Sequence, residues 1–426
     1  MRIQSSFFGK LDRTVLICYV LLLCFGWVNI YAASNPDLMG YGWDWGNEAG
    51  RQLVFIGMGC LLILLILLSD ARIYPLLSSL IYAVSILLLI AVLIWGVEVG
   101  GNKSWLNIGG IGLQPAEFAK LGTAIMLANL MGQRDANLTT WSARIKPVAV
   151  VLLPMALVLA QPDAGSALVF TAFLMALYIE GLPGYLMYMG IGSLVLGVLA
   201  LAFPINQVII GIIAVATVAM LWSHAKKRLK GMQWIKHPAI ASTMLAVVFA
   251  MGVQTAFDNV LKPHQQIRIK LLLGQVDDSG AVGYQTAQSL IAIGSGGWTG
   301  QGFNQGSQTK LKFVPEQSTD YIFTTVGEEW GFIGAMLLLL TYTILIARMV
   351  VLAARQKQTF ARVFGMCIAS ILLVHYVVNI GMTLGLMPVI GIPLPLFSYG
   401  GSSLWAFTLM IFIFLRLDAF RWQTLS

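Results

Sequence analysis

The sequence predicts an all-α polytopic membrane protein, and three observations carry that prediction. Of its 426 residues 58% are hydrophobic and only 10% charged, whereas soluble domains carry about 25% charged residues. The apolar residues gather into twelve runs of helix length, near 14–33, 53–69, 76–97, 117–131, 147–161, 166–180, 185–203, 206–222, 238–257, 331–354, 363–384 and 403–415. Threaded alternately from a cytoplasmic N-terminus, those runs place 18 of the 26 Lys and Arg residues on the cytoplasmic side, as the positive-inside rule requires. One transmembrane domain spanning 1–426 is expected rather than two or three soluble domains. Both termini are then cytoplasmic. The net charge of +8 orients helices here and does not point to nucleic acid.

Taken in order, the first run follows a basic start (Arg2, Lys10, Arg13) and is too long for a signal-peptide core, so it reads as a retained helix. Several later runs fall short of the ~20 residues that cross ~30 Å, which implies continuation into polar flanks or burial in the bundle. Cys18, Cys24, Cys60 and Cys367 lie inside apolar runs without disulfide or zinc spacing and read as packing residues. The segment 98–114 (EVGGNKSWLNIGGIGLQ) suits a tight interfacial hairpin. The QPDAG corner at 161–165 joins two short helices. The segment 385–401 (GLMPVIGIPLPLFSYGG) is too rich in proline and glycine for helix, so at membrane depth it must be buried in protein or line a cavity. The longest polar interval, 277–329, holds six of the eighteen acidic residues and lies outside the membrane in this threading.

Candidate chemistry falls in the same places. Glu117 and Lys120 share one helical face, and intramembrane charges are costly enough to be paired or functional. They form either a mutual ion pair or the wall of a wet pocket where Lys120 meets an anionic headgroup. Asp163 caps a turn or joins that pocket. Glu180 and His375 read as interfacial and core-polar positions without a role. In the long loop, 284–293 is a short amphipathic segment. The glycine-dense 294–302 could bring backbone N–H groups to a phosphate, or simply make turns. Asp277 and Asp278 are neighbours whose side chains point opposite ways in extended chain, so one of them faces the site. An ordinary aspartate is ionised at neutral pH and can take a proton from a sugar hydroxyl. Glu316, Asp320, Glu328 and Glu329 read as loop-stabilising caps. No Ser/His/Asp order, HExxH, Walker motif or inverted repeat is present.

Six motifs carry a resemblance: QPAEFAKL at 114–121, QPDAGSAL at 161–168, QSLIAIGSGG at 288–297, PE…TDYIF at 315–323, GEEWGFIG at 327–334 and PLFSYGGSSL at 395–404. They resemble the SEDS family (shape, elongation, division and sporulation) and span about three-quarters of the chain. The QTKLKF run at 308–313 and the PLPLFSYGG form look closer to the elongation member than to the division member. The resemblance implies a bundle of ten core helices with a large extracytoplasmic loop, here 258–330. The extra pair near 185–237 is then an inserted hairpin with a basic cytoplasmic loop, the sequence making twelve.

It also implies a peptidoglycan glycosyltransferase of the bacterial inner membrane that polymerises lipid II into a growing glycan strand. Implied partners are a class B penicillin-binding protein (a transpeptidase), elongation-complex membrane proteins and membrane lipid. The family's essential aspartate falls on Asp278, general base on the acceptor hydroxyl, with undecaprenyl pyrophosphate leaving. Lys120, Arg268 and Lys103 are the candidate counter-charges, or a divalent cation in their place. Glu117, Asp163, Gln288, Ser289, Gly296 and Gly297 complete the substrate-binding set. Ser318 and Ser104 stand where the family often has histidine and arginine. Rival readings are a lipid II flippase, which would translocate headgroups without making glycan, a scaffold indifferent to the loop aspartates, and the division-specific homologue.

Overall fold

Each of the twelve apolar runs lies on a helix in the computed structural model, which describes residues 11–34, 45–99, 102–133, 138, 140–228, 237–259, 266–267, 269–270, 273, 275 and 281–421. The chain forms two compact units, Pro183–Asp278 and the remainder.

In the larger unit the N-terminal half runs through α1 (Arg13–Ser34), α2 (Glu48–Leu68), the single turn α3 (Ile73–Leu76) and α4 (Ser78–Trp95). A small antiparallel sheet follows: β1 (Val97–Val99), β2 (Asn102–Ile108) and β3 (Ile111–Leu113), in that order. Gly109 and Gly110 turn β2 into β3 with φ of +61° and +86°, the positive values a two-residue hairpin loop needs. The expected hairpin at 98–114 is thus present, with a third strand added.

Next come α5 (Pro115–Met131), α6 (Trp141–Ala160) and the broken pair α7 (Ala164–Val169) and α8 (Ala172–Ile179). Pro115 opens α5 where a missing N–H costs nothing. Most of α5 is buried, and Gly122 lets it press on α4: a Cβ there would stand 2.6 Å from Ser85 Oγ. Cys18 and Cys367 are buried, but Cys24 and Cys60 lie on exposed helix faces. Packing therefore accounts for two of the four cysteines. An exposed apolar face suits a helix that meets lipid.

The C-terminal half of this unit holds α12 (Ala281–Ser295), the one-turn α13 (Ser307–Lys310), α14 (Ile322–Ala354), α15 (Thr359–Thr383) and α16 (Gly401–Phe420). Helix α14 is two helices joined at Gly331, whose φ of 62° and ψ of −158° interrupt the ladder. The apolar run read from 331 is its second part. The first part, 322–330, is almost entirely enclosed by protein, which explains how its polar sequence is tolerated.

The smaller unit contains α9 (Gly184–Ala202), α10 (Ile205–Arg228) and α11 (His237–Asn259), packed around Ala200, Val208 and Ala250. The proposed insertion at 185–237 falls inside it. Among the described residues ten helices are long and apolar enough to cross a membrane. The other two runs are α5 and the α7–α8 pair, so the chain is a multi-pass membrane protein.

Ion pairs collect where α1 begins and where α8, α14 and α16 end. Asp12 meets Arg348 at 2.7 Å, Glu180 meets Arg362 at 2.8 Å, and Asp418 meets Arg355 at 2.5 Å. The irregular segments gather at the other ends of these helices.

Candidate functional site

The segment 385–400 is non-helical, yet its stretch 392–398 is largely buried, with Ile392, Leu394 and Phe397 nearly inaccessible. Its free carbonyls would be costly without donors, and side chains from two helices supply them. Asn379 Nδ2 on α15 donates to Ile392 O at 2.7 Å, His375 Nδ1 lies 3.0 Å from Pro393 O, and the Tyr342 hydroxyl on α14 donates to Pro395 O. Ser398 Oγ donates to Thr319 O at 2.6 Å, and Tyr399 N donates to Ser318 O at 2.9 Å, which ties in the end of the long loop. Gly26 of α1 packs so closely that a Cβ there would lie 2.6 Å from Phe397 O.

The other irregular segments meet this one. Gln114 N donates to Ser402 Oγ at 3.0 Å, and Ser402 Oγ donates to Gly112 O at 3.3 Å, joining the small sheet to the start of α16. Gln114 Nε2 reaches Asp163 Oδ2 at 3.3 Å. A Cβ on Gly165 would meet Ile390 O, so the QPDAG corner also abuts the proline-rich segment.

At the heart of this unit stands a buried cluster. Lys120 Nζ donates to Glu117 Oε1 at 2.7 Å and lies 2.9 Å from His375 Nε2, with relative exposures of 0%, 1% and 1%. The Phe407 ring on α16 covers the ammonium, its centroid 5.6 Å from Nζ. The ammonium thus has two polar partners and an aromatic ring beside it. Glu117 Oε2 has no hydrogen-bond partner among the described residues. The open valence of the cluster is therefore an acceptor. Of the two alternatives for this pair, the contacts match the mutual ion pair, with Lys120 donating to Glu117 and lying beside His375. His375, read from sequence as a core-polar position, is the partner that sequence reasoning missed. The available signal was a histidine in the apolar stretch of a membrane helix, a position that normally has a polar partner.

The remaining proposed residues divide by location. Asp163 caps α7, its Oδ1 accepting from Ser166 N at 2.9 Å and its Oδ2 from Ser166 Oγ at 2.7 Å. Lys103 Nζ donates to Leu93 O and Ile94 O at 3.2 and 3.3 Å, capping the carbonyl end of α4. Ser289 is fully buried and binds Thr324 Oγ1 at 2.6 Å and Thr383 O at 2.9 Å, fastening α12 to α14 and α15. Gln288 beside it is half-buried. Asp278, Asp277 and Arg268 lie outside the described residues.

The glycine run builds a helix joint rather than an open phosphate cradle. Gln301 N and Gly302 N donate at 3.0 Å to the carbonyls of Glu328 and Glu329, and Phe332 N donates at 2.9 Å to Gly297 O. These bonds replace those that the break at Gly331 removes from α14. Gly296 is buried where α12 crosses α14, and a Cβ on it would stand 2.9 Å from Glu328 O. Gly297 is exposed with a φ of +55°. Glu328 fulfils its expected structural part by accepting from Gln308 N, Thr309 N and Thr309 Oγ1 at 2.7, 2.9 and 2.5 Å. Among the described residues no group of three or more His, Cys, Asp and Glu side chains could hold a metal ion.

Fold and site together define a multi-pass helical membrane protein with a buried ionic cluster beneath converging irregular segments. The chain belongs to the FTSW_RODA_SPOVE family of cell cycle proteins, whose model matches residues 12–241 and 211–423. It is 32% identical to the peptidoglycan glycosyltransferase RodA of Treponema pallidum, over 95% of this chain and 96% of that one. It is 31% identical to the peptidoglycan glycosyltransferase MrdB of Escherichia coli K12, over 94% and 92%. A solved structure titled "Structural coordination of polymerization and crosslinking by a peptidoglycan synthase complex" aligns over 97% of this chain and 99% of its own. Its TM-score is 0.71 at 28% identity.

Proposed function

We propose that this chain is a peptidoglycan glycosyltransferase that polymerises lipid II into glycan strands during cell elongation. The observation that carries the reading is a match, over nearly the whole chain, to relatives that bear that activity in their names. Asp278 takes the proton of the acceptor's 4-hydroxyl. The oxygen then attacks the anomeric carbon of the donor strand and the bond to undecaprenyl pyrophosphate breaks. The leaving group carries its charge into a low-dielectric setting, where a fixed cation lowers the barrier. Lys120 and Lys103 are engaged with protein acceptors, which leaves Arg268 or a divalent cation as the proposed counter-charge. Glu117 Oε2, buried and open, suits a sugar hydroxyl or amide N–H, with Gln288 alongside on α12.

The working form is a complex with a class B penicillin-binding protein in the bacterial inner membrane. Its termini are cytoplasmic and 258–330 faces outward. The protein reconstituted with that partner should convert labelled lipid II into polymer resolved on a gel. Asp278→Asn should abolish the polymer and Asp277→Asn should retain it. Polymer from Asp278→Asn would refute the assignment of the base. Headgroup translocation without polymer from the wild type would replace the enzyme reading with the flippase.

A further inference from the structure

We propose that His375 is a positioning residue that sets where Glu117 and Lys120 stand by tying them to the backbone of segment 385–400. The inference rests on the reading that this cluster serves the polymerising reaction.

Hydrogen-bond roles fix the imidazole without ambiguity. Lys120 Nζ lies 2.7 Å from a carboxylate oxygen and is an ammonium, which can only donate. Pro393 O can only accept. His375 sits between them, with Nε2 2.9 Å from Nζ and Nδ1 3.0 Å from Pro393 O. Its hydrogen must be on Nδ1 and its lone pair on Nε2. A ring of the other tautomer, or a doubly protonated one, would set two hydrogens against each other at Nε2.

The anchor at the far end is stiff. Pro393 has a ring-fixed φ, and the carbonyls on either side of it in this segment, Ile392 O and Pro395 O, are held by Asn379 and Tyr342. The imidazole is held in turn by the Phe407 ring, edge to face at a centroid distance of 5.1 Å. A continuous bonded path therefore runs from Pro393 O through His375 and Lys120 to Glu117, whose second oxygen is left open. Any ligand that seats on segment 385–400 bears on Glu117 Oε2 through that path.

The test compares the wild type with His375→Phe, which keeps ring volume without an acceptor. It also includes His375→Gln, whose amide oxygen can accept from Lys120. Each is reconstituted with the partner, lipid II is varied, and thermal unfolding is followed in parallel. His375→Phe should lower kcat about 10- to 100-fold, as misplacement of a reacting group does, with KM little changed. His375→Gln should recover most of that loss. Wild-type kcat in His375→Phe would overturn the proposal, as would equal impairment of both variants with matching losses of thermal stability. If the wild type makes no polymer, the functional reading fails by itself. Nitrogen-15 histidine spectra still decide the inference, because the chain has four histidines and His375→Gln identifies one. An Nδ1–H tautomer supports the bonded path and an Nε2–H tautomer overturns it.

Discussion

Lys120→Met tests the buried ion pair most sharply. The substitution keeps an unbranched side chain of similar length but removes an ammonium with no exposure. It leaves Glu117, 1% exposed, with neither oxygen bonded, and it leaves His375 Nε2 without its donor. Breaking one side of a buried ion pair costs about 3–5 kcal/mol, because the remaining charge has no compensation. Replacing both sides removes that penalty, so Lys120→Met/Glu117→Leu should return to within about 1 kcal/mol of wild type. The resulting thermodynamic cycle should show a coupling of about 5 kcal/mol or more, well above the few tenths expected of independent sites. Reversible unfolding in mixed micelles measures all four corners, and the polymerisation gel is run on the same preparations. The double variant should be folded and inactive. A single variant as stable as wild type would refute the ion-pair reasoning, and so would a double variant destabilised by the sum of the singles. A double variant that polymerises at the wild-type rate would remove the cluster from the site.

Two further outcomes follow from the helix joint and from the opposite end of the bundle. Gly331→Ala forces a Cβ to within 2.9 Å of Gly297 O at a φ of 62°, a region costing about 1–3 kcal/mol for other residues. It should loosen 297–302 and raise protease cleavage between Trp298 and Gln305; an unchanged digest would contradict the assigned strain. At Asp12 burial opposes the charge, yet the Arg348 guanidinium and the Val15 N–H more than offset it and hold the carboxyl below its ordinary value of 3.8. Because the folded value is the lower one, the pair's contribution is present above pH 3.8 and is lost as pH falls through the folded value. Asp12→Asn should lower stability near neutrality and flatten that acid limb in unfolding scans; an acid limb identical to wild type would exclude Asp12 as its source.

Composition and spacing by themselves determined that this chain is a membrane bundle, because twelve apolar runs leave few other places for such residues to go. They also marked the segments that cannot be helix: 385–401 by its prolines and glycines, 98–114 by its turn residues, and QPDAG as a corner. The three-residue spacing of Glu117 and Lys120 was enough to pair them, since that separation is local to one helix face. What tertiary structure decided is who else stands there. His375 is 255 positions from Lys120 and Pro393 is 18 from His375, so no local periodicity joins the three. The glycine run was legible as turn-forming, but its partner, the break at Gly331, lies on a separate helix that only packing brings alongside. The same holds for Lys103 and Asp163. Their charges were visible in sequence, yet the helix ends they cap exist only once α4 and α7 have formed and stopped. Sequence placed the polar groups on their elements, and the meeting of those elements chose which were left with a hydrogen bond still to make.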